Sequence, residues 1–288
     1  MGAFYIACNR LLATLTLEQN ELLNFRYPEL IWRTTVNMAK LKFAAITIAV
    51  LVAVSYIHEI LSRLPLYVRL HSDKPFYIAE SIDKVAGVSI CLLAIWLMSR
   101  NGLREVLSEV GLHAPIPPAF AFALIASSPM LLGFALTRSL TPHLQLRPLV
   151  FLTVLSPLVE EIEFRGFGVL QLKRRTGWPF WVVVWPSAVL TGYGHMDQGG
   201  TLLESVELLL LMTAGGVTFA WLAQKWQSLW VPVALHICMN LWWELFSISR
   251  SAIGGWFPFM LQNITILFAI LLTLYSKRER TPVETAPS

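Results

Sequence analysis

Charge is scarce in this sequence. Asp, Glu, Lys and Arg make up 14% of its 288 residues, against 56% for the apolar types, whereas a soluble domain carries about 25% charged residues. That shortage excludes an ordinary soluble fold and leaves a chain that crosses the membrane several times. Cysteine is scarcer still. Cys8, Cys91 and Cys238 are odd in number and far apart, so they form neither a disulfide framework nor a metal-ligand set, and small buried apolar residues are their expected use. Internal repeats, low-complexity tracts and a separate soluble domain are also missing. Without paired halves, a small repeat-built transporter ranks last among the readings of its intramembrane Glu and His residues. There is no HExxH motif either, since His58-Glu59 is followed by no second His at that spacing.

What is present is a set of long apolar runs. The net charge of +4 does not point to nucleic acid, because the basic residues punctuate those runs instead of gathering on one face. Crossing the hydrocarbon core takes about 20 apolar residues. On that rule the sequence predicts an all-α bundle of eight membrane helices, at 41–61, 81–99, 116–137, 149–173, 178–197, 203–224, 229–248 and 256–276. The chain then divides into an N-terminal extension (1–37), two leading helices with their loop (38–115), a core (116–248), and a last helix with a short tail (249–288). Residues 1–37 carry too much charge to span, and are expected to be an interfacial amphipathic extension or an artefact of start-site choice. With a cytoplasmic N-terminus, Lys and Arg favour the inside segments 14 to 7, with Lys84 counted outside and Arg165 left within the membrane. That bias predicts both termini inside.

The fourth run is interrupted by Glu160, Glu161, Glu163 and Arg165. A charge at the centre of a membrane helix costs about 2.5–3.5 kcal/mol, so four facing lipid would cost roughly 10 kcal/mol or more. Pairing and inward orientation have to remove most of it. Glu161 and Arg165 are four apart and can neutralise one another, while Glu160 lies about 100° round the helix and can point at a cavity. Glu163 is three residues from Glu160 and is expected on its side. Pro157 inside the same helix should kink it or open it locally. His195 ends the fifth run, and His236, Asn240 and Glu244 share one face of the seventh at four-residue spacing. Taken singly, His195 could be an interfacial polar residue at a helix end, and the stripe on the seventh run could merely glue helices, worth about 0.6–2 kcal/mol per hydrogen bond.

Glu160-Glu161-x-x-x-Arg165, then His195, then His236-x-x-x-Asn240 resembles the three-motif signature of the CAAX protease and bacteriocin-processing (CPBP) family of intramembrane proteases, over residues 116–248. Arg165-Gly166 and Ser228-Leu229-Trp230-Val231-Pro232 match the family's context. Thr191 departs from it, standing where the family has Phe four residues before its His. The resemblance implies hydrolysis of a membrane-associated peptide, such as a lipidated, prenylated CaaX-type protein or a bacteriocin or signalling peptide, within the bilayer; the short loops and bare helical bundle point to a prokaryotic cell membrane. It implies that Glu160 is the base that deprotonates water, His195 holds that water, and His236 and Asn240 stabilise the oxyanion. Glu161 and Arg165 are orienting residues on the same grounds. No cofactor is implied. A zinc-dependent version would use Glu160, His195 and His236 as ligands, and a non-proteolytic immunity or scaffold protein on the same fold is the alternative of another class.

Overall fold

A computed structural model describes residues 38–71, 74–100, 102–249 and 253–278. The extension 1–37 and the tail beyond 278 therefore lie outside the described residues. From Phe43 onward the described residues belong to one compact unit. Its elements are α1 (Met38–Ser55), α2 (Ile57–Leu61), α3 (Pro65–His71), α4 (Phe76–Ser99), α5 (Leu103–Glu109), α6 (Ile116–Ala126) and α7 (Ser128–Thr137). A continuous helical rod, α8, runs through residues 146–176, followed by α9 (Phe180–Tyr193), α10 (Leu202–Trp226), α11 (Trp230–Leu245) and α12 (Trp256–Arg278).

Each of the eight expected runs is helical, and the protein is an all-helical polytopic membrane bundle. The count of eight full spans is not met. Among the described residues, α1, α4, α10 and α12 are long and apolar enough to cross a membrane, with a fifth span if α6 and α7, bent by 46° at Ser127, count as one. The physical reason is length and charge. Helix α9 has 14 residues and α11 has 16, or about 21 and 24 Å at 1.5 Å per residue, against a hydrocarbon core of about 30 Å. Helix α8 is long enough but carries the charge cluster. Large apolar side chains such as Leu97, Leu124, Val182, Leu210 and Leu267 stand exposed on the outside, as a surface solvated by lipid requires.

Helix α8 is not a plain α-helix. It alternates α turns (Leu146–Val150, Ser156–Glu160, Leu172–Thr176) with π turns over Phe151–Leu155 and Glu161–Gln171. Pro157 accounts for the first change. Its ring would meet the carbonyl four residues back, so the preceding turn widens, and the Ser156 amide donates five residues back to the Phe151 carbonyl. The next amide in that register would be residue 157, which as proline has none. The Leu152 carbonyl is thereby left for a partner elsewhere.

Close approach of α9 and α10 depends on small residues. Gly216 lies so near α9 that a Cβ there would sit 3.1 Å from the Ala188 Cα, and a Cβ on Gly192 would overlap Thr213 Oγ1 and the Leu209 carbonyl oxygen. Small residues let membrane helices pack backbone to backbone. Gly192→Ala should therefore destabilise the protein by about 1–3 kcal/mol, read as a lower melting temperature in detergent. An unchanged value would show that α9 and α10 can separate without loss.

Buried sulfur behaves as expected from its spacing: Cys91 and Cys238 are buried free thiols, and Cys8 lies outside the described residues.

Candidate active site

The charge cluster splits by depth. Glu161 is 0% exposed, Glu163 and Arg165 4% each, while Glu160 lines a cavity of about 670 Å³ together with Arg165, His195, His236 and Asn240. The charged and polar groups thus converge on one space from α8, the end of α9 and α11, with α4, α7, α10 and α12 completing its lining.

Glu161 is the hub behind the wall. Its Oε1 accepts from His236 Nδ1 at 2.9 Å and lies 3.4 Å from Arg165 Nη1. The guanidinium also sits 5.7 Å from the centre of the Phe219 ring, and Phe219 packs edge-on against His236. A carboxylate only accepts here, so His236 Nδ1 carries the proton of that bond, and the far nitrogen, Nε2, is the one available to the cavity.

Glu160 is held from the opposite side. Its Oε1 accepts from Lys84 Nζ and from Ser156 Oγ, each at 2.7 Å, leaving Oε2 for other work. Lys84 is the residue that sequence reasoning misplaced. It is not an outside-loop cation but a part of α4, itself a candidate span, and it pairs with the most chemically available acid of the cluster. Its position inside the predicted run 81–99 was the signal that could have found it, because an intramembrane Lys demands a partner.

Glu163 does not accompany Glu160 at the cavity. It lies against α4 at Gly87, where any side chain would collide with its Oε1. The π turns after Glu160 have more residues per turn than the α-helix on which the three-residue spacing was judged, so the two carboxylates diverge. Glu244 does line the cavity, about two turns of α11 beyond His236.

His195 follows the last turn of α9, where its Nδ1 donates to the Thr191 carbonyl oxygen at 2.8 Å. That bond fixes the ring and again leaves Nε2 for the cavity. Because position 191 contributes its backbone to this contact, the change of side chain at 191 leaves it intact. Asn240 donates from Nδ2 to the Leu152 carbonyl at 3.0 Å, the acceptor freed by Pro157. One N–H of the same amide stays available.

Straight helices would have left Glu160 and His236 at different depths. The turn between α10 and α11 resolves this by dipping into the protein. Leu229 is fully buried with Ile162, Leu170 and Val233, its amide donates to the Gly111 carbonyl at 2.9 Å, and Trp230 Nε1 donates to Leu112 O at 3.1 Å. Gly111, with φ of +87°, supplies the left-handed turn and the space beside Leu229. Starting α11 that deep brings its second turn level with Glu161.

The metal alternative needs convergent donors. Among the described residues, the group whose three donors lie within 4.8 Å of one another is His58, His71 and Asp83, not Glu160, His195 and His236.

Comparison with known proteins gives two matches. A family model described as "Type II CAAX prenyl endopeptidase Rce1-like" matches residues 142–242, which hold the carboxylate cluster, His195, His236 and Asn240. The chain is also 32% identical over 187 residues to "Putative membrane peptidase YdiL" of Bacillus subtilis (strain 168), covering 59% of this chain and 72% of that one. No solved structure matches the chain significantly.

Proposed function

The chain belongs to the CPBP family of intramembrane proteases, and on that premise we propose that it hydrolyses a peptide bond of a membrane-associated peptide with a water activated by Glu160. The observation that carries this reading is the single cavity onto which Glu160, His195, His236 and Asn240 open. Its remaining lining is largely apolar, with Met130, Leu211, Phe219 and Ile266, which suits a substrate that arrives through lipid. A prenylated CaaX-type C-terminus and a bacteriocin or signalling peptide are the substrate classes proposed.

In this reading Glu160 Oε2 accepts a proton from water whose oxygen attacks the scissile carbonyl. His195 Nε2 holds that water by a second hydrogen bond. The developing oxyanion is met by the second amide N–H of Asn240 and by His236, whose Nε2 must carry a proton for this while Nδ1 donates to Glu161. Protonated Glu160 then returns its proton to the leaving amine as the C–N bond breaks. Lys84 and Ser156 keep the carboxylate from swinging out of the cavity. No metal is required for any of these steps, and the Lys84 ammonium 2.7 Å from Glu160 Oε1 repels a second cation there, which favours the metal-free version.

The test is cleavage of a membrane-bound peptide by purified wild-type and His236→Ala protein. Losing one oxyanion donor costs about 10²–10³ in rate, expected here in kcat with KM little changed. Equal kcat for the two proteins removes His236 from the oxyanion site. Cellular function that survives both His236→Ala and Glu160→Ala would instead favour a non-proteolytic scaffold.

A further inference from the structure

The densest group of metal-type donors lies outside the proteolytic cavity. His58 on α2, His71 at the end of α3 and Asp83 on α4 bring their donor atoms within 4.8 Å of one another. His58 Nδ1 is 3.1 Å and His71 Nε2 3.7 Å from the same oxygen, Asp83 Oδ2. Three consecutive helices each contribute one donor, and the ring centres of the two imidazoles are 4.9 Å apart.

Hydrogen bonding alone does not account for this arrangement. Asp83 commits Oδ1 to the Tyr67 hydroxyl and Oδ2 to His58 Nδ1. His71 Nε2 is buried and has no hydrogen-bond partner among the described residues, although it faces Asp83 Oδ2 from just beyond bonding range. A buried ring nitrogen left so costs about 1–3 kcal/mol. The same distances suit a shared cation. Zinc bonds of about 2.0–2.2 Å at tetrahedral angles set neighbouring donors about 3.3 Å apart, and the two observed separations bracket that value.

We propose that His58 Nδ1, His71 Nε2 and Asp83 Oδ2 form a binding site for a divalent transition-metal cation of the zinc class, with a fourth position open to water. Two imidazoles and a carboxylate are a ligand set suited to zinc and its neighbours in the first row. Support behind the ligands is in place: the Tyr67 hydroxyl donates to Asp83 Oδ1, turning Oδ2 toward both imidazoles, as a supporting partner does for a ligating carboxylate. Glu80 and Glu59 also act electrostatically on Tyr67, giving the site a negative surround that attracts cations. Access is through His58, whose side chain is 52% exposed, against 23% for His71 and 7% for Asp83.

Such a cation would clip α2 and α3 to α4, the helix that carries Lys84. The proposal does not depend on proteolysis, and its test does not measure it. Full-length protein in detergent is stripped of metal, then titrated with zinc chloride alone and, separately, cobalt chloride. Wild type and Glu160→Ala should each bind one zinc per chain and melt higher with it. His71→Ala removes a nitrogen that makes no hydrogen bond, so its metal-free melting should stay close to wild type. Its zinc affinity should fall by more than the roughly 10–100-fold that loss of a supporting partner costs. Asp83→Asn should weaken zinc likewise. Zinc bound as tightly by His71→Ala as by wild type overturns the site, and so does zinc lost from Glu160→Ala. A cobalt spectrum of wild type with a thiolate charge-transfer band would also overturn it, whatever the variants do, since no cysteine belongs to the set.

Discussion

Glu160→Gln should lower the rate of peptide cleavage by about 10²–10⁴ while the protein remains folded. General-base catalysis by a positioned side chain contributes about that factor, and glutamine keeps the size of the side chain while losing the ability to accept a proton. The substitution keeps a carbonyl oxygen for Lys84 Nζ and Ser156 Oγ, which meet Glu160 Oε1 at 2.7 Å. Geometry is thereby disturbed less than by alanine. The loss should fall in kcat, because the base acts in the transition state and the apolar lining that would bind a peptide is untouched. Melting curves in detergent separate this from unfolding. A Glu160→Gln variant that cleaves at the wild-type rate would remove Glu160 from the mechanism. One that is inactive only because it no longer folds would melt lower than wild type, and Lys84→Met combined with Glu160→Gln would then recover stability but not cleavage.

Arg165→Ala should be the most destabilising single change in the core, by about 3–5 kcal/mol. Glu161 is fully buried with Arg165 3.4 Å from its Oε1, and removing one partner of a buried ion pair strands the other charge. A loss of that size is a large share of the roughly 5–15 kcal/mol that holds a folded domain together. Alanine also removes the contact over the Phe219 ring. The double change Glu161→Leu with Arg165→Met should regain most of the lost stability, because buried ion pairs replaced by apolar residues of similar volume are often neutral or stabilising. That protein should nonetheless stay poorly active, since His236 Nδ1 would lose its acceptor 2.9 Å away. Thermal melting of wild type, Glu161→Leu, Arg165→Met and the double variant gives the coupling directly. Additive losses would mean that Glu161 and Arg165 do not act as a pair.

Part of this site can be read from spacing. Residues 161 and 165 are one helical turn apart, and they stand side by side. Residues 236 and 240 share a face of α11, and both line the cavity. Spacing failed at Glu163 because it presumes 3.6 residues per turn, and the chain there is wound in wider π turns. It failed again at Lys84, which a topology count treated as a loop charge although it lies in a predicted run.

The amino-acid sequence by itself determined the all-helical, membrane-spanning class, the eight helical runs and the charge cluster in the fourth. Those follow from local quantities: run length against bilayer thickness, and the cost of a charge in hydrocarbon. Only the tertiary structure decided which acid faces the cavity and which stays behind it. Three contacts make that choice: Lys84 with Glu160, His236 with Glu161, and Asn240 with the Leu152 carbonyl. Each joins residues more than seventy positions apart, and each depends on an event that periodicity does not encode. The Leu229 turn dips inward on Gly111, and Pro157 withholds an amide that would otherwise occupy Leu152. Contacts of that kind are set by how helices pack in depth and rotation, which a one-dimensional pattern leaves free.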